Sequence, residues 1–161
     1  MRQVWIPKVG EPEVLELREI PDPEPKKGEV RIRVQASGIN FADILARMGL
    51  YPDAPKLPAV VGYEVAGIVD GVGEGVEVFK DGDRVVSMTR FGGYSDVVCA
   101  PRAAVRAIPE SLDFDGAASI PVNYLTAWLM LVRLGNVRSG EKVLVHACAG
   151  GVGLAAVQIC R

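Results

Sequence analysis

Residues 143–161 read VLVHACAGGVGLAAVQICR. A short apolar run enters a glycine-rich turn, and a helical pattern follows. The chemistry open to such a turn is phosphate binding. Small residues are needed where the chain bends, where backbone approaches a pyrophosphate, and where the helix meets its strand. Those places fall on Cys148, Gly150 and Gly153, with Gly151 as a second hydrogen-only side chain at the point of approach. The amides of Ala149, Gly150, Gly151, Val152 and Gly153 would face the phosphates, helped by the positive end of the helix dipole. A glycine turn that merely packs tightly has the same composition. The context that favours binding is a buried strand before the turn and a helix after it.

The elements that must position this turn follow two grammars. Up to about residue 112 the chain reads as short strands. VLELREI (14–20) and EVRIRVQASGI (29–39) alternate apolar and polar side chains, the period-two signature of half-buried strands. YEVAGIVDGVG (63–73), DRVVSM (83–88), GYSDVVCAP (93–101) and AVRAIP (104–109) continue the pattern, with glycines at the breaks. This spacing predicts a closed or nearly closed antiparallel barrel. One helix, NFADILARMG (40–49), interrupts it and stops at Gly49. After Pro109, SLDFDGAASI and PVNYLTAWLMLVRLG (121–135) read as helices, with MLVRL as core. KVLVHA (142–147) reads as a buried strand and 152–161 as a helix. The expected organisation is a mixed α/β chain: a barrel over 1–112, then the opening of an α/β domain over 113–161.

Composition bounds the partners. The chain has 161 residues, 49% hydrophobic and 24% charged, an ordinary globular balance, and the 6% aromatic content leaves the core to aliphatic side chains. A net charge of −2 argues against a nucleic-acid partner, which needs a basic surface. Cys99, Cys148 and Cys160 are odd in number and form no CxxC pair, so they encode neither a zinc ribbon nor a disulfide framework. They point to a reducing cytoplasm, with Cys148 and Cys160 as small buried hydrophobes. The longest apolar segment, YLTAWLMLV (124–132), is too short for an integral membrane span, and the amino terminus shows no signal-length apolar run. His146, the single histidine, sits in the apolar strand pattern as a structural imidazole.

GEKVLVHACAGGVGLAAVQICR resembles the signature of the quinone oxidoreductase/zeta-crystallin branch of the medium-chain dehydrogenase/reductase superfamily, departing from it at Cys148. ASGINFADILARMGLYPDAPKLPAVVGYEVAGIV, GEGVEVFKDGDRVV and IPVNYLTAW agree with it. NFADILARMGLY and VNYLTAW are similar to the vesicle-amine-transport-protein-1-like subgroup. The resemblance implies a GroES-like barrel followed by a Rossmann domain, of which this chain carries only the opening. It also implies a longer, homodimeric enzyme that transfers hydride from NADPH, with NADH not excluded, to a quinone or an activated C=C bond. A relative with a binding or structural role and no turnover is the alternative.

The same resemblance implies roles for single residues. Zinc-dependent relatives place a cysteine where Asn40 stands and a histidine where Tyr63 stands; an amide and a phenol are poor zinc ligands, so no zinc is expected. Glu64 then reads as a hydrogen-bond partner at the barrel rim. The Asn40 amide could donate to the oxygen that gains charge as hydride arrives, or could cap the helix that follows, or both. Asp43 would hold the Asn40 turn. Tyr51 matches the proton donor of related enoyl reductases, against a loop tyrosine that only packs over the cleft. Thr126 matches a nicotinamide contact. Asn123 and Tyr124 would flank it or lie on ordinary surface.

Overall fold

Alternation in the first hundred residues becomes a sheet because each strand has one apolar face to bury. The computed structural model describes residues 1–161. They form two compact units, Met1–Ala118 and Ser119–Arg161. In the first, β1 (Arg2–Trp5) and β2 (Glu16–Glu19) pair as an antiparallel ribbon. A five-stranded antiparallel sheet follows, of β3 (Glu29–Ser37), β4 (Glu64–Val72), β5 (Arg84–Met88), β6 (Val97–Pro101) and β7 (Val105–Ala107), in the order β6-β3-β4-β5-β7. Val30, Ile32, Val65, Val69, Val85, Ala100 and Val105 meet in one buried cluster. Since β6 and β7 lie at opposite ends of the strand order yet share a core, the sheet curls on itself as the barrel pattern predicts.

The outer face of the sheet is covered as well. Ala66 on β4 packs with Ala117 and Ala118 of α2 (Phe114–Ala118). The division between units therefore falls after Ala118, whereas the sequence pattern alone puts it after residue 112: α2 belongs to the sheet it covers. β1 is tied to the segment before β6. Val4 N–H donates to the Tyr94 carbonyl at 3.0 Å, and the Arg2 guanidinium grips Asp96 at 2.9 and 3.2 Å.

The second unit contains α3 (Pro121–Trp128), a wide π turn over Leu129–Leu134, and α4 (Gly151–Ile159). Ala127 of α3 meets Ala155 and Ala156 of α4, with Tyr124, Leu131, Val145 and Val152 around them. Several expectations fail here. Residues 142–147 form no strand, and Leu144 is 82% exposed. A strand is defined by its neighbour, and no segment of this chain pairs with it. His146 is accordingly exposed rather than a buried imidazole, and Cys148 and Cys160 are exposed rather than buried. Of MLVRL only Leu131 packs in the cluster around Ala127; Met130 and Leu134 are 55% and 75% exposed, since no element of the chain covers them. No helix is long and apolar enough to cross a membrane.

The β1 tether gives a pH-dependent prediction. The Arg2 guanidinium first, and its backbone N–H second, hold the Asp96 carboxyl below the usual carboxylate range. A carboxylate so depressed contributes stability that is complete above its unfolded pKa of about 3.9 and is lost as pH falls through the lower native value. Asp96→Asn should therefore lower the urea midpoint slightly at pH 7, the pair being exposed and screened. The difference from wild type should close as the pH is taken below 3.

Candidate functional site

The helix α1 (Phe41–Arg47) organises the first part of the site. Asn40 is its N-cap residue, in extended backbone, and Asp43 at the third helical position returns its carboxylate to the Asn40 N–H at 2.9 Å. This is one half of a capping box, which satisfies a donor the helix cannot. The helix ends where Gly49 takes φ +71°, the left-handed conformation that glycine adopts without strain. Asp43 thus holds the Asn40 turn, as expected.

The Asn40 side chain is held independently. Its Nδ2 donates to Oε1 of Glu64 at 3.0 Å, and Glu64, the first residue of β4, is 1% exposed. A carboxylate only accepts, so it fixes which end of the Asn40 amide faces it. The amide carries two N–H groups, and one of them is committed to Glu64. Asn40 therefore combines cap position with a side chain aimed by a buried acid. Gly38 makes room for that acid, because a Cβ there would overlap the Glu64 side chain.

Asp43 is itself 4% exposed and takes three hydrogen bonds: from Asn40 N–H, from Gly62 N–H at 3.1 Å, and from the Tyr94 hydroxyl at 2.8 Å. The Thr89 hydroxyl donates to the Gly62 carbonyl at 2.7 Å and steadies the same loop. Burial first, then the Asp43 charge, raises the Tyr94 pKa well above that of an ordinary phenol, so Tyr94 remains a donor. Neither Gly62 nor Tyr94 is legible in the sequence as part of the site.

Tyr51 lies half-buried against the apolar cluster of Ile6, Ala46 and Val61, which Tyr94 also joins. Its ring meets Tyr63 edge to face, centroids 6.3 Å apart, and Tyr63 in turn meets Phe91 at 5.6 Å. Burial first, and then the neighbouring Tyr51 hydroxyl, raise the Tyr63 pKa well above the normal range, and the Tyr63 hydroxyl is sealed from solvent. Tyr63 thus stands as an aromatic wall beside Tyr51. A cavity of about 770 Å³ in this unit is lined by Asp43 and Tyr94, among others, but by neither Asn40 nor Tyr51. It lies on the ribbon side of Asp43 and is not where the Asn40 amide and the Tyr51 hydroxyl would meet a ligand.

In the second unit the glycine turn has the predicted form without its strand. Gly150 is the N-cap of α4, its N–H bonded to the Ala147 carbonyl at 3.0 Å. A Cβ on Gly153 would overlap the Ala147 carbonyl oxygen and stand 2.7 Å from Cys148 Cα, so this glycine is where helix and turn touch. A Cβ on Gly151 would strike the Asn123 side chain at about 2.5–2.7 Å. Ala149, Gly150 and Gly151 are exposed, and the first N–H groups of α4 have no acceptor within the helix. Bare backbone donors at a helix N-terminus fit a pyrophosphate. Thr126 is half-buried on α3; Asn123, from the same helix, abuts the turn and donates from Nδ2 to the Ser119 carbonyl at 2.8 Å. The Tyr124 hydroxyl bonds Gln158 of α4.

The hydrogen bond to Glu64 yields a stability prediction. Asn40→Ala should cost about 1.5–3 kcal/mol in urea unfolding, the range for bonds to charged groups. Asn40→Asp, which sets a second carboxylate against Glu64, should cost more than the alanine variant.

Comparison with known proteins places this arrangement. Residues 26–110 match the family model described as the alcohol dehydrogenase GroES-like domain. The chain is 48% identical over 147 residues to the rat synaptic vesicle membrane protein VAT-1 homolog, covering 91% of this chain and 36% of that protein. It is 45% identical over 163 residues to human quinone oxidoreductase, covering the whole chain and 50% of that protein. Among solved structures, Escherichia coli quinone oxidoreductase complexed with NADPH superposes with a TM-score of 0.91 at 39% identity, over 99% of this chain and 49% of that one. The chain thus spans half or less of the length of these relatives. It belongs to the alcohol dehydrogenase GroES-like domain family, in the quinone oxidoreductase branch of the medium-chain dehydrogenases/reductases.

Proposed function

We propose that the protein carrying this chain is a zinc-independent oxidoreductase that transfers hydride from NADPH to a quinone or an activated C=C bond. The observation that carries this reading is the turn over residues 147–153, exposed from Ala147 to Gly151, which ends in helix N-terminal N–H groups with no acceptor within the helix and in a Gly153 that tolerates no side chain. The likeness to a quinone oxidoreductase solved with NADPH supports the choice of cofactor. Bound NADPH would supply the hydride. Ala149, Gly150, Gly151, Val152 and Gly153 would hold its pyrophosphate through backbone N–H groups, and Thr126 would contact the nicotinamide.

The first unit would serve the acceptor. As hydride arrives, the acceptor oxygen gains negative charge, and a donor already aimed at it costs no reorganisation. The free N–H of Asn40 is such a donor, fixed by Glu64. Tyr51 would give a proton to a reduced enone carbon, while a hydroquinone can take its protons from water. The donor set favours zinc independence: an amide committed to Glu64 and a sealed phenol at Tyr63 are not metal ligands. Cysteine usage supports a cytoplasmic location, and the family resemblance a homodimer.

A second reading has one observation in its favour, the likeness to proteins named for synaptic vesicle membranes. It is a binding role in which cofactor is retained without turnover.

The full-length protein should oxidise NADPH only when a quinone or enone is present, followed at 340 nm. Cofactor binding with no turnover across a broad acceptor panel would favour the second reading instead. Within the reductase reading, Gly153→Ala should weaken NADPH binding at least tenfold by fluorescence titration, because α4 must move off the turn. Tyr51→Phe should lower enone reduction by about 10²–10⁴, the usual span of general-acid catalysis, and leave quinone reduction nearly unchanged.

A further inference from the structure

We propose that Tyr94 is a positioning residue for this site, setting Asn40 through Asp43. The importance of Asn40 rests on the reductase reading above; the geometry of the link does not. Tyr94 lies in the segment that β1 holds, with its N–H bonded to the Val61 carbonyl at 3.1 Å and its carbonyl taking the Val4 N–H at 3.0 Å. Its ring packs on Ile6, Ala46 and Val61. Both ends of the residue are therefore anchored before its hydroxyl reaches Asp43.

The hydroxyl bonds Oδ2, the same oxygen that receives the Asn40 N–H, while Oδ1 takes the Gly62 N–H. Of these three donors Tyr94 alone is a side chain, so it is the one that can be deleted without altering the backbone. Asp43 and Tyr94 both line the cavity of about 770 Å³. Once the hydroxyl is gone, water in that cavity can compete for Oδ2 and the carboxylate can turn about its last bond. The Asn40 backbone then loses a fixed partner at the point from which its amide is aimed at Glu64. A displacement of this kind, distant from the reacting atoms, can lower turnover by up to about a hundredfold.

The test replaces Tyr94 by phenylalanine in the full-length protein, which keeps the ring and removes the donor. The first readout is independent of activity. The side-chain amide of Asn40 is followed by NMR in protein labelled at asparagine, and assigned by the signal lost in Asn40→Asp. Of the asparagines in this chain only Asn40, Asn123 and Asn136 contribute. Wild type should show a dispersed, slowly exchanging Asn40 amide. In Tyr94→Phe it should move toward the free-amide position and exchange faster, with Asn123 unmoved.

Thr89→Val is the control for general loosening. It removes another buried hydroxyl bond to the Gly62 loop but leaves the Asp43 donors in place. It should lower stability without moving the Asn40 amide. An Asn40 amide unchanged in Tyr94→Phe, or equally disturbed in both variants, overturns the proposal. The second readout is kinetic: with an enone or quinone acceptor, Tyr94→Phe should lose about ten- to a hundredfold in kcat, with NADPH affinity unchanged. Unaltered kcat overturns the functional part of the proposal even if the amide moves. A wild-type protein without any reductase activity, but with the amide still dependent on Tyr94, sinks the reductase reading and leaves the positioning link standing.

Discussion

A carboxylate buried without a cation can persist only if hydrogen bonds replace the water it has lost. Asp43 is that group here. Its donors come from three separate stretches: the start of α1, the loop before β4 and the segment before β6. The last two are also tied to each other by backbone hydrogen bonds and by the contact of Tyr94 with Val61. Because all three must converge on one acid, none can drift without leaving Asp43 unsatisfied. The helix adds to this, since Asp43 stands in its first turn at the positive end of the helix dipole. The rim of the sheet is thereby made rigid at the place where Asn40 leaves it.

Two buried acids then divide the work. Asp43 fixes the backbone of Asn40, and Glu64 fixes its side chain. Neither faces the solvent. The neighbouring phenols are kept neutral by burial, Tyr94 as a donor to Asp43 and Tyr63 as a sealed aromatic surface beside Tyr51. A side chain and backbone held by separate acids give Asn40 a fixed direction that owes nothing to a ligand.

What the sequence reveals and what it hides follow from range. β3, β4 and β5 are legible because alternation is a property of a few consecutive residues, and α1 because its cap, its acid and its terminal glycine lie within ten positions. The glycine turn is legible for the same reason. Asp43 as the support of Asn40 is three residues away and can be foreseen. Tyr94 lies 51 positions from Asp43, and nothing about an isolated tyrosine announces its partner. The position of α2 is hidden in another way: its five residues carry too little pattern to say that they cover Ala66 rather than begin the next unit.

The segment 142–147 shows the converse. Its composition is that of a buried strand, yet it is unpaired and largely exposed, whereas the turn and helix after it form as expected. The difference is physical. α4 satisfies its own backbone and needs only the small residues of α3 to pack against, Ala127 against Ala155 and Ala156. A strand cannot satisfy its backbone alone; its hydrogen bonds belong to a neighbour. The apolar run is therefore a statement about a partner strand, not about itself. The glycine turn is different again, since Gly150 serves as the N-cap of α4 and Gly151 and Gly153 by close contact, and both are complete within the turn and the two helices beside it. Local geometry forms from the residues that carry it, whereas strand pairing forms only with a second segment.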